Sequence, residues 1–508
     1  MVEPIEEEMI LQPLFSLLNE FNKMKINVLG AGIGGLSAAA FLAKNGFQVN
    51  VIEKNPTPGG KAGQLKMNGY VFDTGPSLLT LPEWIDELFD DCGKNPRDYF
   101  NYKKLDKITR YFFPDDSYLD VDSDITKTAE NFNHSTGTKV KDFLRYFKLW
   151  EKVYKISENT FLKGLVFNFN FFKNAFYWFY KIGIRNIFMP MSVYNSKKLS
   201  SKKIEQIMNR FATYTGSSPY KTPAFMNQLA LVEMIKGAYF PDGGIYSVTS
   251  ALFQLCKDLG VNFIFNEHVI SIDSKNKDIV VNTKKSTYQS NILISNIDYY
   301  VSQTLLGRKN KISYKDLSTS AIVFYWGIKS QFKDLDLHNI IFSSDYKKEF
   351  NDIFESSSIP QEPTIYINIS SKMDKSHAPE GCENWFVMIN IPPIPDLVNS
   401  IEIQKVRSFI INQINNRFKV DLDDLIENEK LLTPKSLFEN TGSFNGALYG
   451  KNQNSLKSIM NRQGNLDKDN KGVFYIGGSV QPGGGIPLAL RSGFNTAKQI
   501  VNDYKQRS

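Results

Sequence analysis

The sequence predicts an α/β fold: a Rossmann-type dinucleotide-binding domain, an inserted mixed-sheet domain and a largely helical region. Two observations near the start and one near the other end predict it. An apolar run at residues 26–30 opens into Gly30-Ala31-Gly32-Ile33-Gly34-Gly35, and a stretch rich in Ala and Leu follows to Lys44. Gly46 closes that stretch, and Phe47-Gln48-Val49-Asn50-Val51-Ile52 carries Glu53 at its tip. Far downstream, Val473-Phe474-Tyr475-Ile476-Gly477-Gly478 is another apolar run that stops in glycine, ahead of Gly483-Gly484-Gly485 and a last helical stretch.

Each early element has a physical task. A short apolar run ending in glycine reads as a buried strand. Gly30 permits the tight turn, Gly32 removes the side chain that would block a pyrophosphate, and Gly35 lets the helix pack on the sheet. Ile33 and Gly34 complete the loop, whose free N–H groups and helix dipole favour phosphate. Glu53 can accept hydrogen bonds from ribose hydroxyls, and its charge disfavours a 2′-phosphate. Strand, glycines, helix, strand and acid in one register make a far more specific signal than the glycines alone.

Past Glu53 come Lys54 and then Gly59-Gly60-Lys61. An ordinary Pro/Gly turn is the plainer reading. An acid followed by Gly-Gly and a basic residue resembles the extended fingerprint of amine-oxidase-like flavoproteins, which implies FAD rather than NAD. At the other end, Gly477, Gly478, Gly485, Ile486 and Pro487 form a glycine-dense turn into a helix. Such backbone can approach a planar ring and aim N–H groups at it. The helix N-terminus would stabilise negative charge on a reduced flavin. Gly478 stands where many flavoproteins carry an Asp. His268 and Val269 sit where such flavoproteins often place a backbone contact to adenine, although a plain surface position after a strand is the other reading of His268.

Composition bounds the alternatives. The chain has 508 residues with 42% hydrophobic and 22% charged content, enough for two or three domains and against wholesale disorder. A net charge of +7 with scattered Lys and Arg argues against nucleic acid as a partner. Cys92, Cys256 and Cys382 lie far apart with no Cys/His cluster, so neither a disulfide framework nor a metal site is expected, and a reducing cytoplasm fits. No run of 18 apolar residues suggests a membrane span. Residues 1–23 are acidic and read as an extension ahead of the first strand.

The blocks GAGIGGLSAAAFLAKNGFQVNVIEKNPTPGGKAG, GYVFDTGPSLLTLP (69–82), FATYTGSSPYKTPA (211–224), GAYFPDGGIYSV (237–248) and YIGGSVQPGGGIPLAL (475–490) are spread over nearly the whole chain. Together they resemble the bacterial-type phytoene desaturase family of carotenoid desaturases and isomerases. The later blocks are the more specific ones. The resemblance implies FAD, a membrane-derived polyene, and insertion of C=C bonds with hydride passing to flavin N5. The surroundings of residues 212–220 resemble hydroxycarotenoid 3,4-desaturases somewhat more than phytoene desaturases.

On this basis residues 24–105, 240–300 and 440–508 are assigned to a discontinuous FAD-binding domain. Residues 301–439 are assigned to a substrate-binding domain, and 106–239 to a helical substrate-entry region. The aromatic zone of residues 161–191, broken by Lys163, Lys173, Lys181 and Arg185, suits a bilayer interface as well as a packed core. The expectation is a peripheral, monotopic protein at the cytoplasmic membrane. Its substrate tunnel should be lined by Phe, Tyr, Leu and Met, with few polar groups at the blind end. Oxygen or a quinone would take the electrons, and a homo-oligomer is compatible with the sequence.

The acid–base group is the least legible element. In some phytoene desaturases an Asp and an Arg, three apart on a helix, are proposed as acid–base partners. Arg145 and Lys148 occupy the corresponding positions here, without the carboxylate. Glu233 and Asp242 are alternative polar candidates, and Tyr214 or Ser217 could meet a substrate hydroxyl. The rival readings are an amine oxidase, a carotenoid isomerase or retinol-saturase-like flavoenzyme, and a non-catalytic carotenoid binder.

Overall fold

In the computed structural model, which describes residues 24–158, 186, 188–274 and 278–506, two sheets of different character organise the chain. The first has five strands, all parallel, in the order Val473–Tyr475, Ile292–Ser295, Lys25–Leu29, Gln48–Ile52, Asn262–Ile264. Its strands are short and apolar because one face packs on the helices Ile33–Lys44, Tyr246–Asp258 and Ile486–Lys505 and the other on the three-stranded sheet Val269–Asp273, Ile279–Thr283, Thr287–Ser290, which leaves no polar side to alternate with. Segments hundreds of residues apart therefore share one sheet, with the first strand at its centre.

Helix packing on this sheet is set by backbone proximity. A Cβ on Gly35 would lie 2.1 Å from the Gly30 carbonyl oxygen, so the helix Ile33–Lys44 starts pressed against the turn before it. The last helix, Ile486–Lys505, crosses it equally closely. A Cβ on Gly493 would stand 2.0 Å from the Gly34 oxygen and 2.3 Å from Ser37 Oγ. Ser37 Oγ seals the crossing by donating to the Leu490 carbonyl at 2.8 Å. The same helix reaches the helix Glu83–Asp91 through buried Arg491, which pairs with Glu87 and stacks 4.8 Å over Trp84.

The second sheet has seven strands and is mixed. Strands Ser320–Ile328, Glu383–Ile391 and Ile365–Asn368 are antiparallel neighbours at its heart. Side chains alternate between faces along each strand. On one face Ile322, Phe324, Trp326, Trp385, Val387 and Ile389 pack with Val406, Ile410 and Ile414 of the helix Ser400–Phe418. On the other, Ala321, Val323, Tyr325, Phe386, Met388 and Asn390 border an internal cavity.

One boundary departs from the sequence reading. Residues assigned to the helical region include strands Lys107–Phe112 and Tyr118–Asp122, which form a hairpin at the edge of the second sheet. The first pairs in parallel with His338–Ile341, a contact that no local pattern could announce. Helices follow only from Ile125, through Ile125–Thr136 and Val140–Ser157 to Met191–Lys198 and Lys202–Arg210. The extension 1–23 and most of the aromatic zone, with Lys163, Lys173, Lys181 and Arg185, lie outside the described residues.

The helix crossing makes a direct prediction. Gly493→Ala should lower stability by about 1–3 kcal/mol through overpacking, read as a lower denaturant midpoint. Gly464→Ala, where a Cβ meets nothing within 4 Å, should change stability by no more than about 0.5 kcal/mol.

Candidate functional site

A cavity of about 1590 Å³ runs from the glycine turns of the first sheet to the inner face of the second. Pockets for drug-sized ligands measure roughly 300–1,000 Å³, so this one has room for a dinucleotide and a second long molecule. Gly30, Gly32, Ile33, Gly34, Glu53, Lys54, Gly59, Gly60, Lys61, Val269, Gly477, Gly478, Gly485, Ile486 and Pro487 all border it. Gly35 does not, because it packs beneath the turn.

Glu53 is buried, and its carboxylate holds the glycine loop. Oε2 accepts from the Ala31 N–H at 2.8 Å and Oε1 from the Asn55 N–H at 2.9 Å. This adds a loop-ordering task to the ribose contact expected from sequence. At the centre of the glycines sits Asn296, at the end of a strand that the sequence directs toward the cofactor region without assigning this side chain a task. A Cβ on Gly32 would come 2.8 Å from its Nδ2, and one on Gly34 or Gly477 would come 2.7 Å or 2.5 Å from its Oδ1. Glycines from both ends of the chain are thus required to admit one amide. The signal was an Asn ending an otherwise apolar strand, Ile292–Ser295.

Two cations, half-buried Lys61 and buried Arg462, flank the C-terminal turn. Lys61 Nζ donates to the Leu448 carbonyl at 2.5 Å, and burial, offset in part by Asp298, pushes its pKa down to about 8. Arg462 donates to the carbonyls of Val480 at 2.9 Å, Tyr449 at 2.8 Å and Gly478, and so fixes the shape of the glycine loop. Burial pushes its pKa down to about 10. Asp298 caps the helix Tyr299–Leu305 through the Tyr300 N–H at 3.0 Å, and burial raises its carboxyl.

The far part of the cavity is mainly apolar, with Leu229, Phe225, Val232, Tyr325, Phe386 and Leu432 among its walls. It is not as free of polar groups as the sequence reading expected. Arg210, Tyr214, Glu233, His338 and Glu349 also border it. They arise where the alternation of the sheet and the short helical turns place polar residues inward. Burial pushes Glu349 up to about 7, while Thr364 Oγ1 donates to it at 2.7 Å. Burial holds His338 down at about 3, hence neutral, with Nδ1 2.8 Å from the Tyr366 hydroxyl.

The structure does not bring Arg145 and Lys148 to this site. Both are exposed on the helix Val140–Ser157, whose inward face is Phe143, Tyr146, Phe147 and Trp150. Arg145 faces Asp142 at 3.5 Å instead. Helical periodicity decides the matter: positions 145 and 148 fall opposite the apolar stripe. An acid–base role for either is therefore withdrawn. Asp242 is also outside the cavity and pairs with Lys103 at 3.4 Å. Ser217 is buried behind the wall, accepting from the Gln453 N–H at 2.8 Å. Of the polar candidates, Glu233 and Tyr214 do border the cavity.

This geometry has counterparts. Residues 28–92 match the NAD(P)-binding Rossmann-like domain family. The 1-hydroxycarotenoid 3,4-desaturase of Flavobacterium sp. (strain P99-3) is 40% identical, across 94% of this chain and 99% of that protein. The carotenoid 3,4-desaturase of Haloarcula japonica is 30% identical, across 96% and 100%. Among solved structures, putrescine oxidase bound to putrescine superposes with a TM-score of 0.60 at 12% identity, across 94% of this chain and 99% of its own. That last likeness shows a shared fold and nothing finer. The near-complete overlap with the two desaturases goes further, and on it the chain belongs to the carotenoid desaturases of the phytoene desaturase type.

Proposed function

We propose that the chain binds FAD along the glycine-framed part of the cavity and desaturates a long hydroxylated carotenoid, at its 3,4 bond, in the apolar part. The observation that carries this reading is that the two parts are one continuous space. The residues present fit the cofactor. Gly32, Gly34 and Gly477 leave no room for a side chain, Glu53 is the acid suited to the ribose, and Lys61 is a half-buried cation suited to a pyrophosphate. When bound, FAD supplies a two-electron acceptor for hydride from a C–H bond beside a polyene.

The protein's own part is alignment, exclusion of water and custody of a proton. Tyr325, Phe386 and Met388 lay an apolar floor on one sheet face, against which a rigid polyene can lie flat. The apolar wall keeps water from the reacting carbons. Glu349, raised to about 7 by burial, can take up and hold a proton near neutral pH. A carotenoid does not cross water readily, so the enzyme would draw it from a bilayer as a peripheral protein at the cytoplasmic face. Among the described residues no helix is long and apolar enough to cross a membrane. Oxygen or a quinone would reoxidise the cofactor.

Purified protein should carry FAD with a flavin absorption spectrum. Gly34→Ala, whose Cβ would meet Asn296 Oδ1 at 2.7 Å and the Ala489 oxygen at 2.9 Å, should weaken binding at least about tenfold, or about 1.4 kcal/mol. Affinity should also depend on pH through Lys61. It is charged below about 8 and neutral above, so binding of the anionic cofactor should weaken as pH rises through that value. Lys61→Met should flatten the dependence, as followed by flavin fluorescence quenching. Expression in cells making a 1-hydroxylated acyclic carotenoid should yield a red-shifted product lighter by two hydrogen atoms. An unchanged mass with altered geometry would assign isomerisation, and no bleaching of the flavin by carotenoid under anaerobic conditions would leave only a binding protein.

A further inference from the structure

One group of polar side chains on the cavity wall has no task in holding a dinucleotide. Arg210 Nη2 donates to Glu233 Oε1 at 3.3 Å, and both Nη atoms of Arg210 lie 3.3 Å from the Tyr214 hydroxyl, which in turn donates to Glu233. The guanidinium stacks 4.6 Å from Phe211 and 4.9 Å from Tyr214. Glu233 sits in Val232–Lys236, a widened i→i+5 helical turn of the kind frequent at functional sites. His338 and Tyr346 are near enough for the Arg210 charge to act on both.

A buried ion pair is a poor way to stabilise an apolar wall, because desolvation of both charges offsets their attraction. This one is also incomplete. Among the described residues, Arg210 Nε, the Tyr346 hydroxyl and His338 Nε2 are buried without a hydrogen-bond partner, and all three residues border the cavity. Each unsatisfied buried group keeps its full cost of desolvation. A cluster of them beside an otherwise apolar cavity calls for a ligand atom that supplies the missing bonds.

We infer that Arg210, Tyr214, Glu233 and Tyr346 form a docking site for a hydroxyl group on the substrate. The inference rests on the polyene reading above and adds where its oxygen is recognised. Glu233 neutralises Arg210, so the patch has no net charge with which to draw an anion. It offers donors in Arg210 Nε–H and the Tyr346 hydroxyl, and acceptors in the remaining lone pairs of the Glu233 carboxylate and the unbonded Tyr346 oxygen, while Tyr214 holds Glu233 in place. An alcohol is donor and acceptor at once and satisfies both kinds. A hydrocarbon end would leave them unpaired, and a site built to hydrogen-bond a hydroxyl rejects the analogue that lacks it.

The test compares two acyclic carotenoids of equal polyene length in liposomes, one with a tertiary terminal hydroxyl and one without. Each is offered to the full-length FAD-loaded protein for kcat/KM, and to the dithionite-reduced protein, which cannot turn over, for affinity by polyene absorption. The alcohol should be preferred at least about a hundredfold. Tyr214→Phe and Glu233→Gln should cut that preference at least tenfold. Tyr346→Phe removes a hydroxyl that bonds to nothing in the protein, so it should cut the preference while flavin content and thermal midpoint are kept. Equal treatment of the two carotenoids by the unmodified protein, or variants that lower both alike, overturns the docking site and leaves the desaturase reading standing. If neither carotenoid is bound or converted, the polyene reading itself falls, and the docking site with it.

Discussion

The close approach of three separate backbones around the Asn296 amide is the constraint on which the rest of the structure depends. The turn at Gly30–Gly34, the end of the strand Ile292–Ser295 and the turn at Gly477 meet where no Cβ could fit. The proximity brings the helix Ile486–Lys505 onto the helix Ile33–Lys44. It also aims the free N–H groups of the first turn and the glycines of the last into one space. The dinucleotide site is therefore a property of tertiary contact between distant segments, and the nucleotide-binding unit at residues 28–92 is only part of it.

The second sheet answers a different demand. Strand alternation separates Ile322, Phe324 and Trp326, which build a core with the helix behind, from Ala321, Val323 and Tyr325, which border the cavity. One face can be tuned to a ligand while the other keeps the sheet packed. Arg210, Glu233 and Glu349 enter from helical turns, and Lys430 from the edge strand Ile426–Leu432, so charge reaches the cavity from outside the central strands.

Much of this was legible in the sequence. Residues 26–53 carried strand, glycine turn, helix, strand and acid in local order, and the structure places each of those elements there. The glycines at 477–485 were equally plain. What was not legible depends on long-range partners. The hairpin of Lys107–Phe112 and Tyr118–Asp122 finds its parallel neighbour at His338–Ile341, more than two hundred residues on. The strand ending at Asn296 was directed at the cofactor region by the sequence, but the task of its side chain emerged only once the glycines around it were placed. Arg145 and Lys148 show the converse failure: a correspondence of positions suggested chemistry, whereas the spacing of Phe143, Phe147 and Trp150 already put the opposite face inward. The Arg210–Glu233 pair joins residues over twenty positions apart and left no local mark.

The strand Val473–Tyr475 joins the sheet by pairing with Ile292–Ser295, nearly two hundred residues earlier in the chain. Translation delivers residues in order, so the emerging nucleotide-binding unit waits for nearly the entire polypeptide before its sheet is whole. Until then Leu293 and Ile294, fully buried in the finished protein, have an open edge beside them. A long-lived open edge is a hazard of aggregation during synthesis. For this protein, occupancy by a soluble nucleotide immediately after release from the ribosome would be as much a matter of folding yield as of redox chemistry.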